Sequence, residues 1–356
     1  MKSNPPDEAD DASAWRITQL AELAFADQAT RLESREPATL PTGDEVADHA
    51  LPSGTAIEGF RIVRPIGEGG FGIVYLAWDE ALERNVAIKE YMPAQLATRV
   101  GATLEVAMRS ERDRTTFDAG LKSFVNEARL LARFDHPALV KVLRFWEANG
   151  TAYMAMPYYE GPTLKAALLS APLPPTEAQL RDWLHSLLEA LSAIHRENCY
   201  HRDIAPDNIL LTEGGPLLLD FGAARRVISD RTQALTTMLK PGFAPIEQYG
   251  GVMMQGPWTD LYALAGVVHY AITGRPPVPS VVRVVTDSQA LLVKTHAGRY
   301  GKGLLRAIDA ALAVRPEARP QDVQAFRDLL NDGLAADSPL RLPPSKVPPA
   351  PHQAEP

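Results

Sequence analysis

His201-Arg202-Asp203-Ile204-Ala205-Pro206-Asp207-Asn208 is the stretch of this 356-residue chain on which its fold turns. A second short motif, Asp220-Phe221-Gly222, follows the apolar run Leu217-Leu218-Leu219. Alone, an Asp-Phe-Gly triplet reads as a turn. Its meaning depends on what stands upstream.

Upstream lies Gly67-Glu68-Gly69-Gly70-Phe71-Gly72, a G-x-G-x-x-G between two strand-like runs. Glycines let a backbone turn sharply and bring its N–H groups close to phosphate oxygens. In a dinucleotide-binding loop a helix follows the glycines. Here Ile73-Val74-Tyr75-Leu76 follows, which is strand, so a plain hairpin turn is the competing reading. Next comes Val86-Ala87-Ile88-Lys89. A lysine ending an apolar strand is costly to bury unless it is paired; a solvated strand end is the alternative.

The intervening patterns change midway. Phe60–Ile66, Ile73–Trp78 and Asn85–Glu90 predict strands from β-branched, alternating residues. After residue 160 the pattern is helical. Thr176 and Gln179 form a capping box after Pro174-Pro175. Leu180, Leu184, Leu187, Leu188, Leu191 and Ile194 share one face of a helix over Glu177–Glu197. Asn198 suits a left-handed residue just past its end. A strand-rich part followed by a helix-rich part implies two lobes, with a ligand in the cleft between them.

With four motifs in this order, residues 57–332 resemble the eukaryotic-like protein kinases. Ala87-Ile88-Lys89-Glu90-Tyr91-Met92-Pro93 and Pro241-Gly242-Phe243-Ala244-Pro245-Ile246-Glu247-Gln248-Tyr249 resemble their bacterial serine/threonine branch. The resemblance implies an α+β, bilobal protein-kinase fold: an antiparallel β-sheet N-lobe (57–157) with one main helix, and a mostly α-helical C-lobe (158–332). It implies an ATP- and Mg-dependent serine/threonine protein kinase acting on protein hydroxyls, with activation-loop autophosphorylation.

The site residues follow from the resemblance. Gly67, Gly69 and Gly72 cover the phosphates. Lys89 holds the α- and β-phosphates and pairs with Glu127 on the next helix. Asn208 and Asp220 bind magnesium through hard oxygen ligands. Asp203 orients the substrate hydroxyl and accepts its proton. Val74 and Ala87 line the adenine from above and Leu210 from below. Met156 is the gatekeeper, and Pro157-Tyr158 forms the hinge. Glu247 is expected to pair with Arg319, and Asp260 to accept hydrogen bonds from the catalytic-loop backbone. Leu131, Val142, His201 and Phe221 stack across the lobes. Arg202 is expected to meet an activation-loop phosphate on Ser229, Thr232, Thr236 or Thr237.

Two positions depart from the family pattern. Where serine/threonine kinases carry a lysine two residues past the catalytic aspartate, this chain has Ala205. Where they carry a threonine before Pro-Gly, it has Lys240. Lys240 is therefore a candidate catalytic residue that reaches Asp203 and the γ-phosphate from the other wall. Ala205 and Pro245-Ile246 also motivate a nucleotide-binding pseudokinase or scaffold. A small-molecule phosphotransferase of related fold is a third reading. Tyr91–Leu121 is long for a strand-to-helix connection: a surface loop, or an element that steers the helix bearing Glu127.

Composition bounds the rest. Hydrophobic residues make up 46% of the chain, enough for a globular core. The lone Cys199 excludes an intrachain disulfide framework and a multi-cysteine zinc site; it is expected in the core, on a buried strand. The net charge is −8, and residues 1–50 alone contribute −7, from eleven Asp/Glu and four Lys/Arg. That acid excess argues against nucleic acid as a partner. Of 30 prolines, seven lie in 339–356 and five in 5–52. The expectation is an acidic arm (1–56) with a helix over 15–32, and a Pro-rich tail (333–356). Both are candidate sites for partners, besides ATP and protein substrates. No signal peptide is apparent. The longest apolar run, Leu261–Thr273, is too short to cross a membrane, so a cytoplasmic location is expected.

Overall fold

The computed structural model describes residues 49–69, 71–101, 103–221, 239–250 and 253–332. The expected arm helix, the Pro-rich tail, Gly70 and the four candidate phosphorylation sites lie outside them.

The first half is one antiparallel sheet. Its strands are β1 (Ala56–Ile57), β2 (Phe60–Gly69), β3 (Gly72–Asp79), β4 (Arg84–Tyr91), β7 (Arg144–Ala148) and β8 (Thr151–Pro157), in the order β1-β2-β3-β4-β8-β7. Among the described residues the outer edge of β2 has no backbone partner past Ile62, which is where Pro65 can sit without losing a bond. A side chain at Gly72 would bring a Cβ to 2.2 Å from the Glu90 carbonyl oxygen, so only glycine fits.

Register sorts the side chains onto two faces. Gly67, Val74, Lys89 and Met154 form one rank, and Leu76, Ala87 and Met156 the next, all facing the cleft. The opposite face carries Ile62, Tyr75, Ile88, Glu90 and Tyr153, all buried. The sheet curls around that second face. Phe60 of β2 stacks on Trp146 of edge strand β7 at 5.6 Å, and Trp146 stacks on Tyr153. These aromatic residues of the N-terminal half thus pack inside the curl.

Residues 91–121 are not a loop. They contain a small hairpin, β5 (Ala97–Arg99) with β6 (Val106–Met108), then α1 (Arg114–Leu131), which starts well before the expected helix. Three-residue strands carry too little periodicity to be seen in sequence. Tyr91 joins sheet to helix: its ring lies 5.1 Å from Phe117 and 5.9 Å from Phe124, and its hydroxyl donates to the Phe117 carbonyl.

The second half is mainly helical. After α2 (Leu164–Ser170) comes α3 (Glu177–Arg196), opened by the Thr176/Gln179 capping box. Its six predicted apolar residues are all buried; shortening one leucine to alanine costs about 2–5 kcal/mol. Asn198 has φ +53°, the left-handed residue that stops the helix. The hairpin β9 (Ile209–Thr212) with β10 (Gly215–Leu218) follows. Helix α4 (Pro257–Thr273) is buried on nearly every side, so the apolar run Leu261–Thr273 is a core helix. Among the described residues no helix is long and apolar enough to cross a membrane. Helices α5 (Ser280–Val285), α6 (Leu292–Thr295), α7 (Lys302–Ala311) and α8 (Val323–Asn331) complete this half. Cys199 is corrected: it lies on no strand and is only partly buried, because α3 ends at Arg196 and the chain leaves through a turn.

Candidate active site

The cleft face of the sheet delivers Lys89, 3.6 Å from Glu127 of α1 and 2.7 Å from Asp220 just past β10. Glu127 is buried, so this carboxylate gains its place from the lysine. The Lys89 ammonium also stands 5.8 Å from the Phe124 ring. Ala87 and Met156 sit opposite one another on β4 and β8, with Val74 on the neighbouring rank. Below them, Leu210 of β9 bridges to Thr163, just past the chain crossing at Tyr158.

The catalytic-loop stretch is shaped by one buried carboxylate. Asp260 of α4 accepts from the backbone N–H groups of His201 (2.9 Å) and Arg202 (2.8 Å), and His195 Nε2 lies 2.8 Å from it. Burial works to raise its pKa, but His195 and these donors outweigh that and keep it below the ordinary carboxylate range. Arg202 is held at φ +65°, a left-handed conformation that a non-glycine residue rarely adopts. His201 is buried and hydrogen-bonds the Leu219 carbonyl at 2.7 Å; burial pushes its pKa down, so the ring stays neutral. Its ring packs on Phe221 at 4.7 Å. Leu131, of the same expected stack, is buried, and Val142 packs against the core.

Asp203 and Asn208 are locked together. Asn208 Nδ2 donates to the Asp203 carbonyl (2.8 Å) and to its Oδ2 (2.6 Å). The Asn208 carbonyl in turn accepts from Leu219 N–H, tying the loop to the strand that leads into Asp220.

Lys240 enters from the far wall. Its Nζ lies 3.1 Å from Asp207 Oδ1 and 3.8 Å from Asp203 Oδ1. Sequence reasoning looked for the Asp203 contact and missed Asp207, which is the nearer carboxylate. Burial works to raise the Asp207 pKa, and Lys240 outweighs it and holds the carboxyl low. The short turn at Pro206–Asn208, which brings Asp207 round beside Asp203, was the available signal. Lys240 is set by a built segment. Gly242 has φ +86° and lies so close to Pro277 that an added Cβ would stand 2.6 Å from its carbonyl oxygen. Ser280 Oγ donates to the Ala244 carbonyl, and Gln248 Nε2 to that of Arg202.

Deeper in the same half, Arg319 Nη1 donates to Glu247 Oε1 at 2.7 Å, with both side chains inaccessible to solvent. Thr259 Oγ1 donates to the same Glu247 oxygen, the carbonyls of Ala313 and Val314 accept from Arg319 Nε and Nη2, and Arg319 lies over the Tyr262 ring.

The comparisons with known proteins agree with this geometry. The sequence matches the family described as Protein kinase domain over residues 60–347. The serine/threonine-protein kinase pkn2 of Myxococcus xanthus is 31% identical over 83% of this chain and 35% of its own. PknA of Nostoc sp. is 27% identical over 79% of this chain and 48% of its own. The chain therefore spans about a third to a half of the length of these curated relatives. The solved structure described as "PpkA-294 apo form" is 51% identical, with a TM-score of 0.74, over 79% of this chain and 99% of that one. The PknI kinase domain of Mycobacterium tuberculosis, at 24% identity and TM-score 0.60, shares the fold. The curled antiparallel sheet and the helical half are the two lobes of one kinase fold, and the chain belongs to the protein kinase family, in its bacterial serine/threonine branch.

Proposed function

We propose that this chain transfers the γ-phosphoryl group of ATP to serine or threonine hydroxyls of proteins, with magnesium. The observation that carries the reading is the convergence of Lys89, Asp220, Asn208, Asp203 and Lys240 on one cleft. Phosphoryl transfer asks a protein mainly for positioning and charge neutralisation, and these groups supply both.

Asp203, oriented by Asn208, takes the hydroxyl hydrogen bond and accepts its proton. Lys89 grips the α- and β-phosphates, leaving Asp220 for the metal. Asn208 and Asp220 would hold magnesium, which supplies charge neutralisation on the phosphate oxygens. The donor chemistry fits: Asn208 spends its amide N–H on Asp203, so its side-chain oxygen is the atom left for a hard cation. The Gly67–Gly72 turn closes over the phosphates. Val74, Ala87, Met156 and Leu210 enclose the adenine, with the Pro157-Tyr158 backbone as its hydrogen-bonding edge. Lys240 stands in for the lysine missing at Ala205. That bears against the scaffold reading, since the lost cation is replaced within 3.8 Å of Asp203. We assign this chemistry to residues 57–332, and partner choice to the arm (1–56) and tail (333–356), in a cytoplasmic setting.

The test offers labelled Mg-ATP with a generic protein substrate and, separately, with small hydroxyl compounds. Labelled phosphoserine or phosphothreonine supports the reading. Label confined to the small compounds would make the chain a small-molecule phosphotransferase instead.

A further inference from the structure

Three consecutive residues of β4 point to three different places. Lys89 enters the cleft, Tyr91 packs on α1, and Glu90, between them, is turned into the curl of the sheet. Glu90 is wholly buried. An ionised carboxylate there needs a partner, and none of its sheet neighbours is a cation. The partner comes from the insertion. Arg99 of β5 reaches in, and its Nη2 lies 2.7 Å from Glu90 Oε2, with 4% of the arginine side chain exposed. Tyr75 OH donates to the same carboxylate oxygen at 2.7 Å and accepts from Leu51 N–H.

Every face of this guanidinium is used. Nε donates to the His49 carbonyl (2.9 Å) and Nη1 to the Leu104 carbonyl (2.8 Å). The arginine thus fastens four pieces of chain at one point: β4, β5, the connection of the small hairpin at Leu104, and the segment at His49 that leads into the domain. The hairpin sits firmly on the sheet elsewhere too. Val106 N–H donates to the Asn149 carbonyl, and Gly150 has φ +71° where a Cβ would meet the Val106 carbonyl oxygen at 2.5 Å. From β6 the chain runs straight into α1, the helix that bears Glu127. The second link is Tyr91, whose ring is held by Phe117 and Phe124 of that helix, and Phe124 borders Lys89.

We propose that Arg99 is a positioning residue for the Lys89–Glu127 pair. By pinning the hairpin to Glu90 it fixes the start of α1, while Tyr91 fixes its middle, so Glu127 is presented to Lys89 without any activating partner. Arg99 touches neither nucleotide nor substrate. Its effect passes through the placement of α1. The inference rests on the kinase reading of Lys89 and Glu127.

The experiment uses the full chain and three variants: Arg99→Met, Arg99→Lys and, as a control, Glu247→Gln in the other buried pair. Kinase kinetics are measured with amide hydrogen exchange of Phe117–Glu127 and of α4. Arg99→Met is expected to lower kcat/KM for ATP about tenfold and to speed exchange in α1 while α4 keeps its protection. Arg99→Lys, which retains the charge but can satisfy only part of the fork, is expected to fall between. Glu247→Gln is expected to leave α1 exchange close to wild type. The proposal is overturned if the Arg99 variants are folded with wild-type α1 exchange and kinetics. It is equally overturned if exchange rises uniformly in both lobes, as it would for a merely structural pair. Lys89→Met separates the two levels: an active Lys89→Met enzyme removes the kinase reading itself, whereas an inactive one beside a fully active Arg99→Met enzyme removes only this inference.

Discussion

Two lysines in this cleft each stand between two carboxylates, yet they are held in opposite ways. Lys89 lies 2.7 Å from Asp220 and 3.6 Å from Glu127 and projects from a central strand with ladders on both sides. Lys240 lies 3.1 Å from Asp207 and 3.8 Å from Asp203, and projects from the loop just before the Gly242 turn. The first cation is built into the sheet. The second is set by the Gly242 turn and by the hydrogen bonds of Ser280 and Gln248. In the reading we propose, Lys240 supplies the cation absent at Ala205, and its placement depends on the Gly242 turn and on these hydrogen bonds. The lesson is that a missing motif residue has to be sought in space as well as in sequence.

The comparison can be broken at several points. Lys89→Met should cost the most of the two lysines, about 10²–10³-fold in kcat, read in a steady-state kinase assay. Lys240→Ala should cost about 10²-fold in kcat with little change in ATP affinity, and Ala205→Lys in that background should restore part of it. Unaltered turnover in Lys240→Ala would sink the replacement idea. Asp207→Asn removes the closer anchor of Lys240 and should cost about tenfold, through misplacement of the ammonium. An effect as large as that of Lys89→Met would mean that Asp207 acts on substrate directly.

A separate expectation concerns stability rather than chemistry, and lies in α4, away from both lysines. Burial holds the His269 pKa at about 4. Above its unfolded value near 6.5 the ring is neutral in both states, and its share of stability is complete. As pH falls below 6.5 the unfolded chain takes up a proton that the folded chain refuses. Stability therefore declines until about pH 4, by at most about 3 kcal/mol. Denaturant melts at pH 7.5 and 4.5 should show a smaller pH loss for His269→Gln than for wild type. Equal losses would show that other groups carry the acid sensitivity.

Much of this fold was legible because its signals are local and periodic. The capping box at Thr176, the apolar stripe of α3 and the alternation of Phe60–Ile66 each fix an element from neighbouring residues alone. Lys89, Glu127, Asp203, Asn208, Asp220 and Lys240 were named from motif order, and the structure brings them into one cleft. What could not be read were contacts made by long-range packing. Arg99 is a lone charge in the run Tyr91–Leu104, with no local pattern to assign it a partner, and nothing in the sequence says that Glu90 turns inward to meet it. Asp207 was passed over because its neighbour Asp203 accounted for the motif. Cys199 was expected on a strand leading into His201, but the chain between the end of α3 and the catalytic loop is a turn followed by irregular backbone.

The central claim is that Asp203 handles the hydroxyl whose oxygen attacks ATP, in a cleft whose cations come from two walls. It is tested most directly by γ-labelled Mg-ATP with wild type and Asp203→Asn, measuring label on protein serine and threonine alongside nucleotide binding. The account predicts transfer by wild type, a loss of about 10³-fold in Asp203→Asn, and nucleotide binding retained in both. Nucleotide binding without transfer by wild type, or equal transfer by the two proteins, would contradict it.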